Sequence, residues 1–307
     1  MSDLGLTIDD LRGSSRRLRT ERVMRTLFFA AALVSILISS LIVLSLVREA
    51  WAFVSSVDLG TLTDEGWFPR RGMFDVRTIL VGSLLVTVVA MLVAVPVGLG
   101  AAVFMSEYAS PRLRKVLKPI LEVLAGVPSI VLGFFALTVI SPSVTQPVFG
   151  TSQFNMLAAG IAVGILTIPL VASVSEDALR SVPHALREAS YGMGARKITT
   201  SIRVVIPAAV SGLVAALVLA VSRAIGETMV VAIAAGATSG SLFEADVREK
   251  GQTMTAAMAA LAAGTDQVKG SSNAFQSLFF VGLILFAVTL TLNVAAGRFV
   301  RRFRQKY

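Results

Sequence analysis

Two charged residues stand where charge is costly. Arg223 and Glu227 fall four positions apart inside the otherwise apolar run 204–235, and an ionisable side chain in such a run is by default a functional hypothesis. If the run is one helix, this spacing sets both on one face, about one turn apart. A guanidinium presents planar paired donors that match an oxyanion. A carboxylate beside it could hold the arginine in place and could take a proton from a protonated oxyanion. Ser222 and Thr228 add hydroxyls to the same stretch. The competing reading is an ion pair that only neutralises itself inside a helical bundle, the usual way such residues are tolerated.

Other chemistries find little to work with. The chain has no cysteine, and its single histidine, His184, cannot build a multi-histidine metal site. Disulfides, zinc–thiolate sites and cysteine nucleophiles are therefore excluded, and no metal site or catalytic residue is expected. No G-x-x-x-x-G-K-[ST] run occurs to cradle nucleotide phosphates. Any ATP and magnesium must be handled by a separate subunit, with no cofactor on this chain.

The residues that position Arg223 are set by composition. Of the 307 residues 55% are hydrophobic and only 15% are charged, against about 25% charged in soluble domains. A bilayer core needs about 20 apolar residues per helix. Six runs qualify: about 27–47, 79–105, 119–140, 156–174, 204–235 and 275–297. They predict an all-α, polytopic membrane protein with a six-helix permease domain over 27–297. A β-barrel would show short alternating segments instead.

Charge fixes the expected orientation. Segment 1–26, loops 106–118 and 176–203, and tail 298–307 together carry twenty Arg or Lys. Segments 48–78, 141–155 and 236–274 carry seven. By the positive-inside rule both termini face the cytoplasm, as an even number of spans requires. The net charge of +9 thus reads as loop bias rather than nucleic-acid binding. The basic tails 1–26 and 298–307 are expected to lie near anionic lipid. The first apolar run is read as a retained span, being too long for a signal peptide and lacking a small-residue cleavage site.

Loop 176–203 carries the second constellation. Pro183 can open a short helix, Gly192 and Gly194 can close it, and Pro207 can kink the helix that follows. The string Glu188-Ala189-Ser190, three residues, Gly194, nine residues, Val204-Val205-Ile206-Pro207 resembles the EAA loop of ABC importer permeases. That resemblance implies a coupling helix that inserts into a cleft on an ATPase subunit, with Gly194 at the turn and Glu188 facing the partner.

Three further segments are similar to PstC-type phosphate permeases: Ser222 to Met229, Pro96 to Tyr108, and Ala125 to Gly133. Met229 and Gly251-Gln-Thr-Met254 look more like PstC than PstA. The resemblance covers roughly 75–300. It implies a type I ABC importer permease fold in the bacterial inner membrane and a PstA-like partner permease. It also implies two PstB-like ATPases and a PstS-like extracytoplasmic phosphate-binding protein. Permeases for sulfate, molybdate or phosphonate share most of these features, and only the Arg223 region separates them. A secondary transporter is opposed by the EAA spacing and by the lack of an evident inverted repeat.

Smaller signals complete the reading. Gly160 and Gly164 form a G-x-x-x-G that allows close helix approach, within the chain or at a dimer seam. Met254 to Ala263 is too short to span and is expected to be an outer-face helix, with or without a special role. Trp51, Trp67 and Phe68 are expected at headgroup level.

Overall fold

The computed structural model describes residues 15–63, 66–236, 240–263 and 272–303. The basic tails at 1–14 and 304–307 lie outside them. Helix α1 (Ser15–Ser56) begins well before the first expected span. The segment after α1 departs from the sequence expectation. It forms a small antiparallel sheet, β1 (Gly66–Phe68) between β2 (Met73–Phe74) and β3 (Ser241–Leu242), with Trp67 opposite Phe74 and Gly66 opposite Leu242. Trp51 is exposed, whereas Trp67 is buried against Phe74, in a cluster with Phe53, Ile79 and Met254.

Helix α2 (Val76–Val103) starts at Asp75, whose buried carboxylate accepts from the Arg77 N–H and the Thr78 hydroxyl, satisfying donors a helix start leaves free. It runs into a π-turn, Phe104–Tyr108. The expected third span, 119–140, is broken. Helix α3 (Pro111–Ala125) ends before Gly126 and Pro128, and α4 (Ser129–Phe135) restarts there, widening into a π-helical stretch (Ala136–Thr145) and closing with α5 (Gln146–Phe149). Pro128 lacks an N–H and pushes the residue before it out of the helical region. The apolar piece long enough to cross a membrane is therefore Ser129–Phe149.

Helix α6 (Met156–Arg180) starts on Asn155, whose side chain accepts from the Ala158 N–H at 2.7 Å. Helix α7 (His184–Gly192) follows, then α8 (Lys197–Thr200), a π-turn (Ser201–Val205) and α9 (Ile206–Ala208). Helix α10 (Val210–Ile225) leaves this piece at 72°, two residues beyond Pro207. The expected continuous run 204–235 is thus bent at its start. It is also interrupted near its end, where α11 (Met229–Ala234) is a separate short helix. Helix α12 (Met254–Ala262) matches the expected short helix, yet five of its nine residues are buried, so it sits inside the protein. Helix α13 (Ser272–Phe303) completes the fold and packs on α1.

The core is built on alanine and glycine. The main cluster joins Val86 and Ala90 of α2 to Ala158, Ala159, Ala162 and Leu166 of α6 and to Val230 and Ala234 of α11. Gly160 and Gly164 face α2, where a Cβ at Gly160 would stand 2.6 Å from Val89 and one at Gly164 2.8 Å from the Ala90 carbonyl. The G-x-x-x-G is an intrachain seam. By contrast α1 exposes Leu33, Ile36, Leu37 and Leu41, as a lipid-facing helix does.

Gly160→Val forces this seam apart, and overpacking of this kind costs about 1–3 kcal/mol. The thermal midpoint in detergent should fall by several degrees. An unchanged midpoint would show that α2 and α6 do not meet at Gly160.

Candidate functional site

The helix carrying Arg223 stops two residues later, at Ile225. Gly226 donates to the Ser222 carbonyl at 3.3 Å and Glu227 to the Ala224 carbonyl at 3.2 Å, tightening the last turn instead of continuing it. Inside a bilayer such a break is tolerated only where protein or a wet cavity satisfies the freed backbone. Four hydrogen bonds do so. The Glu227 carboxylate accepts from its neighbour Thr228 N–H at 3.2 Å and from the Val230 N–H at 3.4 Å, capping α11. The Thr255 hydroxyl, at the start of α12, donates to the Glu227 carbonyl at 2.7 Å. The Thr228 hydroxyl donates to the Gly226 carbonyl at 3.3 Å.

This changes the roles of the two charges. Glu227 is outside helix α10, so the expected i, i+4 face does not form. No ion pair joins Arg223 to Glu227 among the described residues. Arg223 is exposed and lines a cavity of about 240 Å³ between α3, α6 and α10. Its walls are Leu121, Glu122 and Ala125 of α3 with Leu166, Pro169, Leu170, Ser173 and Val174 of α6. The carboxylate that shares the cavity with Arg223 is thus Glu122. The Ser222 hydroxyl is buried without a partner and is not in the cavity lining.

The coupling segment forms a separate site at the far end of α6. Helix α7 closes with Gly194 at φ +79°, its N–H on the Tyr191 carbonyl at 2.9 Å and the Ala195 N–H on the Ser190 carbonyl at 3.1 Å. This is a Schellman ending, which favours glycine at the left-handed position. Glu188 and Ala189 are exposed, and Met193 at the tip is 88% exposed. Ser190 shares a 2.8 Å hydrogen bond with Thr200, fastening α7 to α8. Pro207 is exposed beside the bend.

Two buried carboxylates anchor this end, and sequence reasoning assigned neither a role. Glu107, in the π-turn after α2, meets Arg187 of α7 at 2.9 Å, both side chains being largely buried. Glu176 of α6 has no exposed surface and is ringed by Lys118 at 3.1 Å, Arg180 at 3.6 Å and Arg114 at 3.7 Å. Asp177 holds Lys118 from the outside at 3.0 Å, and this hydrogen bond lifts the Lys118 ammonium above the usual lysine range. A buried carboxylate survives only when paired in this way. The signal available in the sequence was the basic run at 112–118 set against Glu176-Asp177.

A bent, alanine-packed bundle of apolar helices with a cavity opening between them has the build of a polytopic membrane protein, and solved structures bear out the fold. The chain is similar to a chain of a bacterial ABC transporter involved in the import of the acidic polysaccharide alginate, with a TM-score of 0.63 and 16% identity, covering 94% of this chain and 100% of that one. It is also similar to a chain of the inward-facing MetNI methionine ABC transporter, with a TM-score of 0.53 and 20% identity over 75% and 94% of the two chains.

The chain belongs to the family of binding-protein-dependent transport system inner membrane components, whose model matches residues 94–305. The phosphate transport system permease protein PstC of Mesorhizobium japonicum is 31% identical over 92% of this chain and 90% of its own length. The PstA 1 protein of Mycobacterium tuberculosis is 32% identical over 95% and 91%. The probable ABC transporter permease protein YqgH of Bacillus subtilis is 38% identical, and the aligned stretch spans 58% of each chain.

Thr255→Val keeps the side chain's shape but leaves the Glu227 carbonyl at the break without its donor. An unpaired buried group costs about 1–3 kcal/mol, so the thermal midpoint in detergent should drop. No drop would mean the break is held by other groups.

Proposed function

We propose that this chain is the PstC-type half of an ATP-driven phosphate importer. It pairs with a PstA-like permease to form the translocation path and docks one of the assembly's two PstB-like ATPases, which bind the ATP and magnesium. It receives phosphate from a PstS-like binding protein on the outer side. On this reading the chain is a non-catalytic conduit, both of its termini lie in the cytoplasm, and Glu188, Ala189, Ser190, Gly194 and Pro207 shape the ATPase dock.

The observation that carries the reading is the state of Arg223. No hydrogen bond or ion pair engages it among the described residues, and it faces a cavity. An arginine at membrane depth is costly unless it meets water or an anion, and its fork suits a tetrahedral oxyanion. Glu122, across the same cavity, supplies a negative charge that repels a fully ionised anion and accepts a hydrogen bond from the O–H of a protonated one. Ser173 offers a hydroxyl in the same wall. Glu227 contributes by holding the break that ends α10 directly beyond Arg223, and Thr228 by closing that break. The PstC and PstA relatives point to phosphate, and Met229 with the Gly251–Met254 stretch favours the PstC half.

The test uses the absence of native cysteine. In vesicles holding the assembled importer, Arg223→Gln should lower phosphate uptake by about tenfold or more, the scale of a lost charge-assisted contact, with assembly intact. Arg223→Cys should lose uptake similarly and regain part of it after reaction with an aminoethyl thiosulfonate, which restores a cation. Normal uptake by Arg223→Gln would make the arginine a structural residue.

A further inference from the structure

Helix α7 meets the rest of the protein through Leu186, Arg187 and Ser190. Within it the one buried residue is Arg187, while Glu188 and Met193 point outward. Of these contacts, Arg187 is the one that reaches both the turn after α2 and the end of α6.

The Arg187 guanidinium serves three elements at once. One terminal nitrogen donates to the Val182 carbonyl at 2.6 Å, and the other donates to the Leu179 carbonyl at 2.9 Å. Both carbonyls lie where α6 ends, and helix ends leave such acceptors without partners. The second terminal nitrogen also donates to Glu107 Oε1 at 2.9 Å, and Nε donates to Oε2 at 3.4 Å. Glu107 sits in the π-turn that closes the second span, and it also accepts from Ser106 at 2.9 Å. Widened turns of this kind often mark functional positions.

The far end of the loop grips the same turn. The Lys197 ammonium of α8 lies 5.0 Å from the centre of the Tyr108 ring. Between the two grips lies an apolar pad of Ala102, Leu179, Val182 and Val205, with Leu186 of α7 seated on it. The paired side chains are largely buried, so water does not dilute the pair, and its two-pronged geometry resists sliding. The spans it joins, α2 and α6, form the most extensive helix contact in the fold, and α6 forms one wall of the Arg223 cavity.

We propose that Arg187 and Glu107 form the joint through which displacement of the coupling helix is transmitted to the second and fourth spans, and so to the cavity around Arg223. They are positioning residues; neither touches substrate. The inference rests on reading α7 as the ATPase dock. Charge alone does not suffice for the joint. A lysine at 187 would keep the charge but lack the fork that reaches Leu179, Val182 and Glu107 together. A reversed pair, Arg187→Glu with Glu107→Arg, would leave both α6 carbonyls without a donor.

The test reads cavity motion directly, without assuming which anion is carried. A reporter thiol is placed by Ser173→Cys in the cavity wall, and its labelling rate is measured in the importer purified with its ATPase subunits, with and without ATP. In the otherwise native background ATP should change the rate by about tenfold, a typical allosteric coupling. With Arg187→Gln or Glu107→Gln added, the ATPase should still co-purify and hydrolyse ATP while the labelling change disappears. Arg187→Lys should restore part of it, and the reversed pair none. Glu107→Gln leaves the Arg187 bonds to α6 in place, so it carries the test should Arg187→Gln fail to assemble. A labelling change that persists in both variants would overturn the joint. No change in the native background would overturn the importer reading, and the joint with it.

Discussion

Inside a bilayer every backbone N–H and C=O must find a partner within the protein, and that demand shapes this molecule most at the break after Arg223. The chain leaves helix α10 at Gly226 and re-enters helix at Met229, toward the end of what reads as one apolar span. Breaking a ladder at this depth is possible because Glu227 caps the new helix and Thr255 covers the free carbonyl. The break, in turn, separates the two charges. Glu227 is occupied with backbone donors, and Arg223 is left to the cavity. A straight helix would have paired them and closed the site.

Close packing makes the break affordable in space. Helix α11 has to lie against α4 and α6 without large side chains intervening, and alanine and glycine on those faces allow it. Gly133 of α4 sits where a Cβ would be 3.2 Å from the Met229 carbonyl and 3.1 Å from Ile233. The same economy of volume governs α2 against α6. The outer faces of α1, with no such constraint, carry large leucines and isoleucines. Packing among small residues inside and bulky apolar residues toward lipid is the expected division where no hydrophobic effect drives helices together.

Much of this was legible before any coordinates. Spans, the helix–glycine–helix layout of loop 176–203 and the short helix near Met254 follow from apolar run length, from proline and glycine punctuation, and from spacing. The spans at 119–140 and 204–235 were drawn too simply, because hydropathy counts apolar residues and is blind to whether Pro128 or Gly226 interrupts the ladder. The pairing of Arg223 with Glu227 failed for the same reason, since i, i+4 geometry presumes an unbroken helix. The burial of Trp67 is not written in its own neighbourhood, because its sheet partners Phe74 and Ser241 are distant in sequence or weakly marked. The Arg187–Glu107 and Lys118–Glu176 contacts span 80 and 58 positions, beyond anything a local pattern reports.

The account stands or falls on what the assembled importer carries. The most direct measurement is ATP-dependent uptake of radiolabelled phosphate by vesicles containing this chain, its partner permease, the ATPase and the binding protein, with sulfate and molybdate as competitors. Uptake that requires ATP and is displaced by unlabelled phosphate but not by the other two is the predicted result. Uptake displaced better by sulfate or molybdate, or proceeding without ATP, would contradict it.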